Sequence, residues 1–204
     1  MNNTKLTVLF EGYSDLVENG MNANSSCTLL TGQKNVIIDT MTAWDGEKLI
    51  VRLKELNLSC SDIDYVVCTH GHSDHIGCNY LFLNATHIVG FSVSHKDFYH
   101  NVDFNTQLEY KLGEYVKVVP TPGHTLQDVS VIAKVPDLGT VAITGDLFEN
   151  ENDLNDESIW ISAGSDSQEL QRKNRNFILS LADWIVPGHG PMFKVKNVNE
   201  LNIK

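Results

Sequence analysis

The sequence lacks a long apolar run. No window of its 204 residues approaches the roughly 18 apolar residues that a membrane span needs, and Met1 to Asp15 has neither the basic start nor the apolar stretch of a secretory leader. No membrane partner is expected, and the expected location is cytoplasmic, with the nucleus also open. Cysteine is scarce: Cys27, Cys60, Cys68 and Cys78 show no Cys-x-x-Cys spacing, which excludes a disulfide-stapled scaffold and leaves reduced, mostly buried thiols. Basic residues are also few, 15 Lys and Arg against 26 Asp and Glu, and the net charge of -11 disfavours long-range attraction to RNA or acidic membranes. Repeats, low-complexity tracts and Pro/Ser-rich linkers are absent. With 42% hydrophobic residues the chain can bury one substantial core, so residues 1–204 are expected to form a single domain.

Two apolar periods alternate along the chain. Val36-Ile37-Ile38 is a short β-branched run that stops at Asp39; Leu49, Ile50, Leu53 and Leu56 then recur at helical spacing behind a Thr42-to-Asp45 capping box. Tyr65 to Cys68 reads as a buried strand. Val129, Val131, Ala133 and Val135 alternate as a half-buried strand would, and Val141 to Ile143 follows the Leu138-Gly139 turn signal. Leu170, Phe177, Ile178 and Leu181 line one helical face ahead of the strand candidate Trp184 to Val186. The class is α/β. Because several strands cluster without helices between them, strand-rich layers with helices outside fit better than a simple alternating parallel sheet.

The densest chemical signal is Thr69-His70-Gly71-His72-Ser73-Asp74-His75, directly after the strand ending at Cys68. Period-two spacing can point His70 and His72 the same way as the strand runs out, while Asp74 and His75 fall where the chain turns towards a helix. Three further segments pair a short apolar strand with a turn that carries one metal-competent side chain: Val118 to His124, Val141 to Asp146, and Trp184 to His189. A single Pro-Gly-His or Thr-Gly-Asp is an ordinary turn signal. Together, however, His70, His72, Asp74, His75, His124, Asp146 and His189 supply enough imidazoles and carboxylates to complete two coordination shells.

These residues resemble the metallo-β-lactamase superfamily, whose His-x-His-x-Asp-His motif stands here as His70 to His75. The resemblance implies an αββα sandwich, two mixed sheets packed together with helices outside and the site along one sandwich edge. It implies one metal on His70, His72 and His124, a second on Asp74, His75 and His189, and Asp146 bridging them. Asp74 and Asp146 are the expected catalytic residues, Asp146 setting the bridge and Asp74 orienting a metal-held hydroxide and taking its proton. Zinc is the first expectation for the two divalent ions; because Asp146 stands where some lactamase-type relatives carry a cysteine, ligand softness does not single zinc out, and iron or manganese are compatible. Asp39 reads equally as a support for the 70–75 loop or as a strand-terminating turn residue. His87, His95 and His100 match no metal position and read as surface or loop histidines, with proton donation to a leaving group the weaker alternative for His95, and Cys78 reads as a packed helix residue.

Substrate is the open question. His70 to Gly77, Val93 to His95, Thr121 to His124, Asp128 to Val131, Gly145 to Glu149 and Val186 to Pro191 are similar to a narrower branch of the superfamily associated with cleavage at the 3′ end of histone pre-mRNA. That similarity implies an endoribonuclease with RNA as its partner. Charge argues the other way, because Asp146 to Glu169 contains eight acidic residues and no Lys or Arg. This segment reads either as a repulsive wall or as a solvated loop folded away from substrate. Arg172, Lys173, Arg175, Lys194 and Lys196 could form a small basic patch, but they read better as scattered solubilising charges. The alternative is hydrolysis of a small thioester or ester, as in the hydroxyacylglutathione hydrolases, and a metal-binding scaffold without catalysis comes third. A homodimer would supply a missing pocket wall.

Overall fold

In the computed structural model, which describes residues 1–195, fifteen strands and four α-helices are found. The first sheet has the order β1 (Lys5–Phe10), β4 (Cys27–Thr31), β5 (Val36–Ile38), β6 (Tyr65–Cys68), β7 (Thr86–Val89), β8 (Ser92–His95) and β9 (Phe98–Tyr99). Its β5-β6-β7 centre is parallel and its flanks antiparallel. The second sheet runs β10 (Tyr110–Lys111), β11 (Val116–Pro120), β12 (Val129–Val135), β13 (Gly139–Gly145), β14 (Trp184–Pro187) and β15 (Phe193–Lys194), antiparallel except where β13 meets β14. A separate hairpin, β2 (Tyr13–Val17) with β3 (Gly20–Asn24), projects from neither sheet. The helices are α1 (Gly46–Glu55), α2 (Ser73–Ile76), α3 (Ser158–Ser162) and α4 (Gln168–Leu181).

Strand pleating explains the layering. In the central strands one set of alternate side chains meets the facing sheet, as with Val36, Ile38, Val67, Val131, Val141, Ile143 and Val186. The other set points outward, where Ile37, Val66 and Cys68 pack with Leu49 and Leu53 of α1, and Ile132, Ala142 and Ile185 pack with Ile178 of α4. Both faces of each sheet are therefore covered, and the expected αββα sandwich is what these apolar runs build. Each buried Leu, Ile or Val contributes about 1.5–3 kcal/mol relative to exposure, and the middle layer holds the largest single cluster of them.

Several local expectations give way to tertiary packing. β12 is not half-buried: Ser130 and Ile132, on its second face, are covered as fully as its valines, leaving only Lys134 exposed. Thr42 and Asp45 form no capping box on α1. The Asp45 carboxylate instead accepts from Thr42 Oγ1 (2.6 Å) and Asn24 Nδ2 (2.8 Å), closing the turn before the helix. In α4 the buried stripe is Gln171, Arg175 and Ile178, while Phe177 is exposed and Leu170 and Leu181 are only part-buried. His95 is not a loop residue; it lies in β8, part-buried, with Nδ1 donating to Ala85 O at 3.2 Å. Cys78 is buried but lies beyond α2, ahead of a short 3-10 turn.

Candidate metal centre

The four ligand-bearing turns meet at one edge of the sandwich because each follows a central strand. β6 delivers residues 70–75, β11 leads to His124, β13 to Asp146 and β14 to His189. All seven expected residues are brought together. The facing atoms of His70, His72, His124 and Asp146 form one group, and those of Asp74, His75 and His189 a second, with the atoms within each group no more than 4.8 Å apart. Asp146 reaches both: Oδ2 is 3.6 Å from His70 Nε2 and 3.5 Å from His124 Nε2, while Oδ1 is 3.2 Å from His75 Nε2 and 3.3 Å from His189 Nε2. Asp74 Oδ2 lies 3.8 Å from both His75 Nε2 and His189 Nε2.

Hydrogen bonds on the far side of the rings fix which nitrogen faces inward. His124 Nδ1 donates to Gly164 O at 2.8 Å, and His189 Nδ1 donates to Tyr13 O and Asn24 O, each at 3.1 Å. His75 Nδ1 donates to Asp39 Oδ2 at 3.0 Å. Each of these rings therefore turns a lone pair at Nε2 into the centre, the orientation a cation requires. Asp39 does double duty, also accepting from Thr69 N at 2.8 Å, so it both ends its strand and supports the 70–75 loop. Two glycines allow the close approach. A Cβ on Gly145, whose φ is +52°, would strike the Thr69 hydroxyl, and one on Gly188 would strike Asp146 Oδ1.

The donor set fits divalent cations. His72 Nδ1 lies 2.9 Å from His70 Nε2 and 3.1 Å from His124 Nε2, so three ring nitrogens converge on one point where lone pairs would repel without a cation. His75 Nε2 and Asp146 Oδ1 are buried with no hydrogen-bond partner, an arrangement that is costly unless a cation meets them. Electrostatics separates the two groups: although burial opposes it, the Asp146 carboxylate holds His75 and His189 above the usual histidine range, so a cation there takes the place of a proton. Burial, reinforced by neighbouring imidazoles, holds His70 and His72 below the usual histidine range, which keeps them neutral and able to ligate. Although burial opposes it, His75 and His189 hold the Asp146 carboxyl well below the usual carboxylate range.

Some supporting groups were not foreseen from sequence. The carbonyls of Tyr13, Asn24 and Gly164 orient two histidines, and a backbone carbonyl leaves no mark in a sequence. Asp128 gathers the turn around His124, accepting from Gly123 N, Thr125 N and Thr125 Oγ1; the Thr125-to-Asp128 spacing was its available signal. The acidic segment is largely folded: Asp153 is buried against Arg175, and Glu157 pairs with Arg172 at 3.0 Å. Among the described residues the basic side chains form no patch of free charge, since Arg175 is internal and Arg172 is paired, while Lys196 lies outside the described residues.

Comparison with known proteins agrees with this geometry. The family model of the metallo-beta-lactamase superfamily matches residues 22–114. Metallo-beta-lactamase domain-containing protein 1 of Xenopus laevis is 40% identical over 191 residues, covering 92% of this chain and 80% of that protein. A Thermotoga maritima structure assigned to the metallo-beta-lactamases superposes with a TM-score of 0.71 at 26% identity, covering 95% of this chain and all of its own. An N-acyl homoserine lactone hydrolase, solved with its product N-hexanoyl-L-homoserine at the catalytic metal center, superposes with a TM-score of 0.63 at 16% identity over 91% of this chain and 92% of its own.

Proposed function

Since the chain belongs to the metallo-β-lactamase superfamily of metal-dependent hydrolases, we propose that it is a binuclear hydrolase acting on phosphodiesters, as an endoribonuclease of the type that trims the 3′ end of histone pre-mRNA. The observation that carries the hydrolase reading is Asp146, whose two oxygens face two separate donor groups. In this reading His70, His72 and His124 hold one cation, Asp74, His75 and His189 the other, and Asp146 joins them. Two divalent cations so placed, zinc being our assignment, lower the pKa of water towards about 7 and stabilise charge on attacking and leaving oxygens.

The chain's own groups supply the rest. Asp74 is the most open of these carboxylates, its side chain 19% exposed, so it can orient an incoming water and accept its proton. Asp39 holds His75 in the ligating tautomer, and Gly164 O does so for His124. The RNA reading comes from the narrower resemblance of the sequence motifs, and similarity to metallo-beta-lactamase domain-containing protein 1 of Xenopus laevis over 92% of this chain supports that resemblance. The acidic segment is a weaker obstacle than its sequence suggests: of its eight carboxylates, Asp146 faces the centre, Glu149 and Asp153 are buried, and Glu157 is neutralised by Arg172.

A second reading, hydrolysis of a small ester, lactone or thioester, is favoured by the net charge of -11 and by the ring-opened product of lactone hydrolysis held in a protein of the same fold. One metal-dependent assay separates them. A structured histone pre-mRNA 3′ fragment, an N-acyl homoserine lactone and an acyl-glutathione thioester are each incubated with the zinc-loaded protein and with a His72→Ala, Asp74→Ala double variant. Site-specific RNA cleavage that the variant loses supports the nuclease reading. Turnover of lactone or thioester with the RNA left intact transfers the protein to small molecules.

A further inference from the structure

The loop after β13 carries a carboxylate that the seven expected ligands leave without a role. Glu149 is 3% exposed, and its Oε1 has no hydrogen-bond partner. Its backbone is pinned on both sides, N donating to Asp153 Oδ2 at 2.7 Å and O accepting from His189 N at 2.8 Å, so the residue is held beside the His189 turn. The guanidinium buried behind this loop is no counter-charge for it, because Arg175 is spent on both Asp153 oxygens and the carbonyls of Leu147 and Asp153. An isolated buried carboxylate is strongly disfavoured unless it meets a cation or a proton.

The geometry points to Glu149 as a further cation-facing residue that forms, with Asp146 and His189, an oxygen-rich donor set suited to a hard divalent cation such as Mn2+. One donor atom from each of these three residues lies within 4.8 Å of the others. Glu149 Oε1 also shares its condition with His75 Nε2 and Asp146 Oδ1, two atoms of the centre that are likewise buried and unpartnered. The two halves of the centre then differ in chemistry. The first offers three imidazoles and one carboxylate; the second offers His75 and His189 with the carboxylates of Asp74, Asp146 and Glu149 along its walls. Imidazole suits zinc, whereas carboxylate oxygen shifts preference towards manganese and magnesium. The assignment rests on the binuclear reading above and makes the centre unequal in its metal preference.

The test measures binding and needs no substrate. Zn2+ and Mn2+ affinities are determined by chelator competition for the wild type, Glu149→Gln and Glu149→Asp, with the Mn2+ electron paramagnetic resonance spectrum as the second readout. Gln keeps the size of a protonated Glu, so a residue that is merely neutral and buried would lose nothing. The expected result is a tenfold or greater loss of Mn2+ affinity in Glu149→Gln, less than a threefold change for the tighter Zn2+ equivalent, partial recovery in Glu149→Asp and an altered Mn2+ spectrum. Should Glu149→Gln fail to fold, the spectrum and the Mn2+-against-Zn2+ selectivity of Glu149→Asp carry the test. Two equivalents bound with unchanged affinities and spectra in the variants overturn the Glu149 assignment alone. A wild type that binds neither metal overturns the binuclear reading with it.

Discussion

Asp39→Asn isolates the support behind the centre from the fold itself. The carboxylate accepts from Thr69 N at 2.8 Å and from His75 Nδ1 at 3.0 Å, at a residue with φ of +54° that is 2% exposed. Asparagine has the same size and tolerates the left-handed region, so the turn survives and Oδ1 can still accept from Thr69. The amide nitrogen, however, brings a second donor against His75 Nδ1–H. Relief requires the other imidazole tautomer, which places the proton on Nε2, the atom facing Asp146 Oδ1 at 3.2 Å. Losing one charge-assisted hydrogen bond costs about 1.5–3 kcal/mol, which at roughly 2–4 °C per kcal/mol lowers the melting temperature by about 3–12 °C in a chain of this size. Loss of such an outer partner typically weakens metal binding about 10–100-fold. Chelator competition with zinc should show one of two equivalents weakened by that factor and the other, held by His70, His72 and His124, changed less than about threefold. Two equivalents with wild-type affinity in a folded Asp39→Asn protein would refute the reasoning, since the tautomer would then not depend on Asp39.

Other perturbations follow from the same contacts. Gly188→Ala places a methyl group on Asp146 Oδ1 and should abolish high-affinity binding of one cation, read by metal content after dialysis, with a fold still visible by circular dichroism; a fully loaded variant would show that the turn yields freely. At Asp45, burial raises the pKa, but the hydrogen bonds from Thr42 and Asn24 and the charge of Lys48 outweigh it, so the folded value lies below the ordinary 3.8. A depressed carboxylate stabilises the fold above its unfolded pKa and loses that contribution as pH falls through the folded value. Denaturant unfolding should therefore find wild type more stable than Asp45→Asn at pH 6, with the two converging as the pH falls through the depressed folded value; a gap unchanged by acid would contradict this.

What was legible in the sequence was whatever the backbone period and the donor chemistry decide locally. The strands ending at Cys68, Pro120, Gly145 and Pro187 announce themselves because each is an apolar run closed by a turn, and the ligands stand on those turns. The αββα layering came with the family resemblance, and alternate burial on both faces of β12 and β13 accounts for it. What stayed hidden depends on partners distant in sequence. Gln171 and Arg175 are polar in type yet buried, because the first donates to Asp146 O and the second pairs with Asp153. No periodicity rule would place them on the inner face of α4. Phe177 was assigned to that face by its type and is exposed. His95 sits in a strand for the same kind of reason, its ring satisfied by the carbonyl of Ala85.

The buried pair of Arg175 and Asp153 ties α4 to the centre and gives the most demanding prediction. Arg175 Nη2 lies 2.7 Å and Nη1 3.0 Å from the two Asp153 oxygens, and Nη1 also donates to Leu147 O at 2.8 Å, directly after Asp146. One turn earlier on the helix Gln171 Nε2 donates to Asp146 O at 3.1 Å, and beside Arg175 Asn174 Nδ2 donates to Pro122 O at 2.6 Å, near His124. The helix therefore braces two ligand loops from behind, so a break in the pair should reach the metals. Removing Arg175 alone, as Arg175→Met, leaves the Asp153 charge buried without its partner and should cost about 3–5 kcal/mol. Removing both charges, as Arg175→Met with Asp153→Leu, costs far less if the pair is only a structural filler, because apolar replacements of buried ion pairs are often neutral. Asp153 also accepts from Glu149 N at 2.7 Å, however, so the double variant frees that amide and loosens the Asp146–Glu149 turn. The double variant should then regain most of the stability lost by Arg175→Met yet keep weakened binding of one cation. Recovery of stability and affinity together would show that the pair fills space behind the centre without setting its geometry.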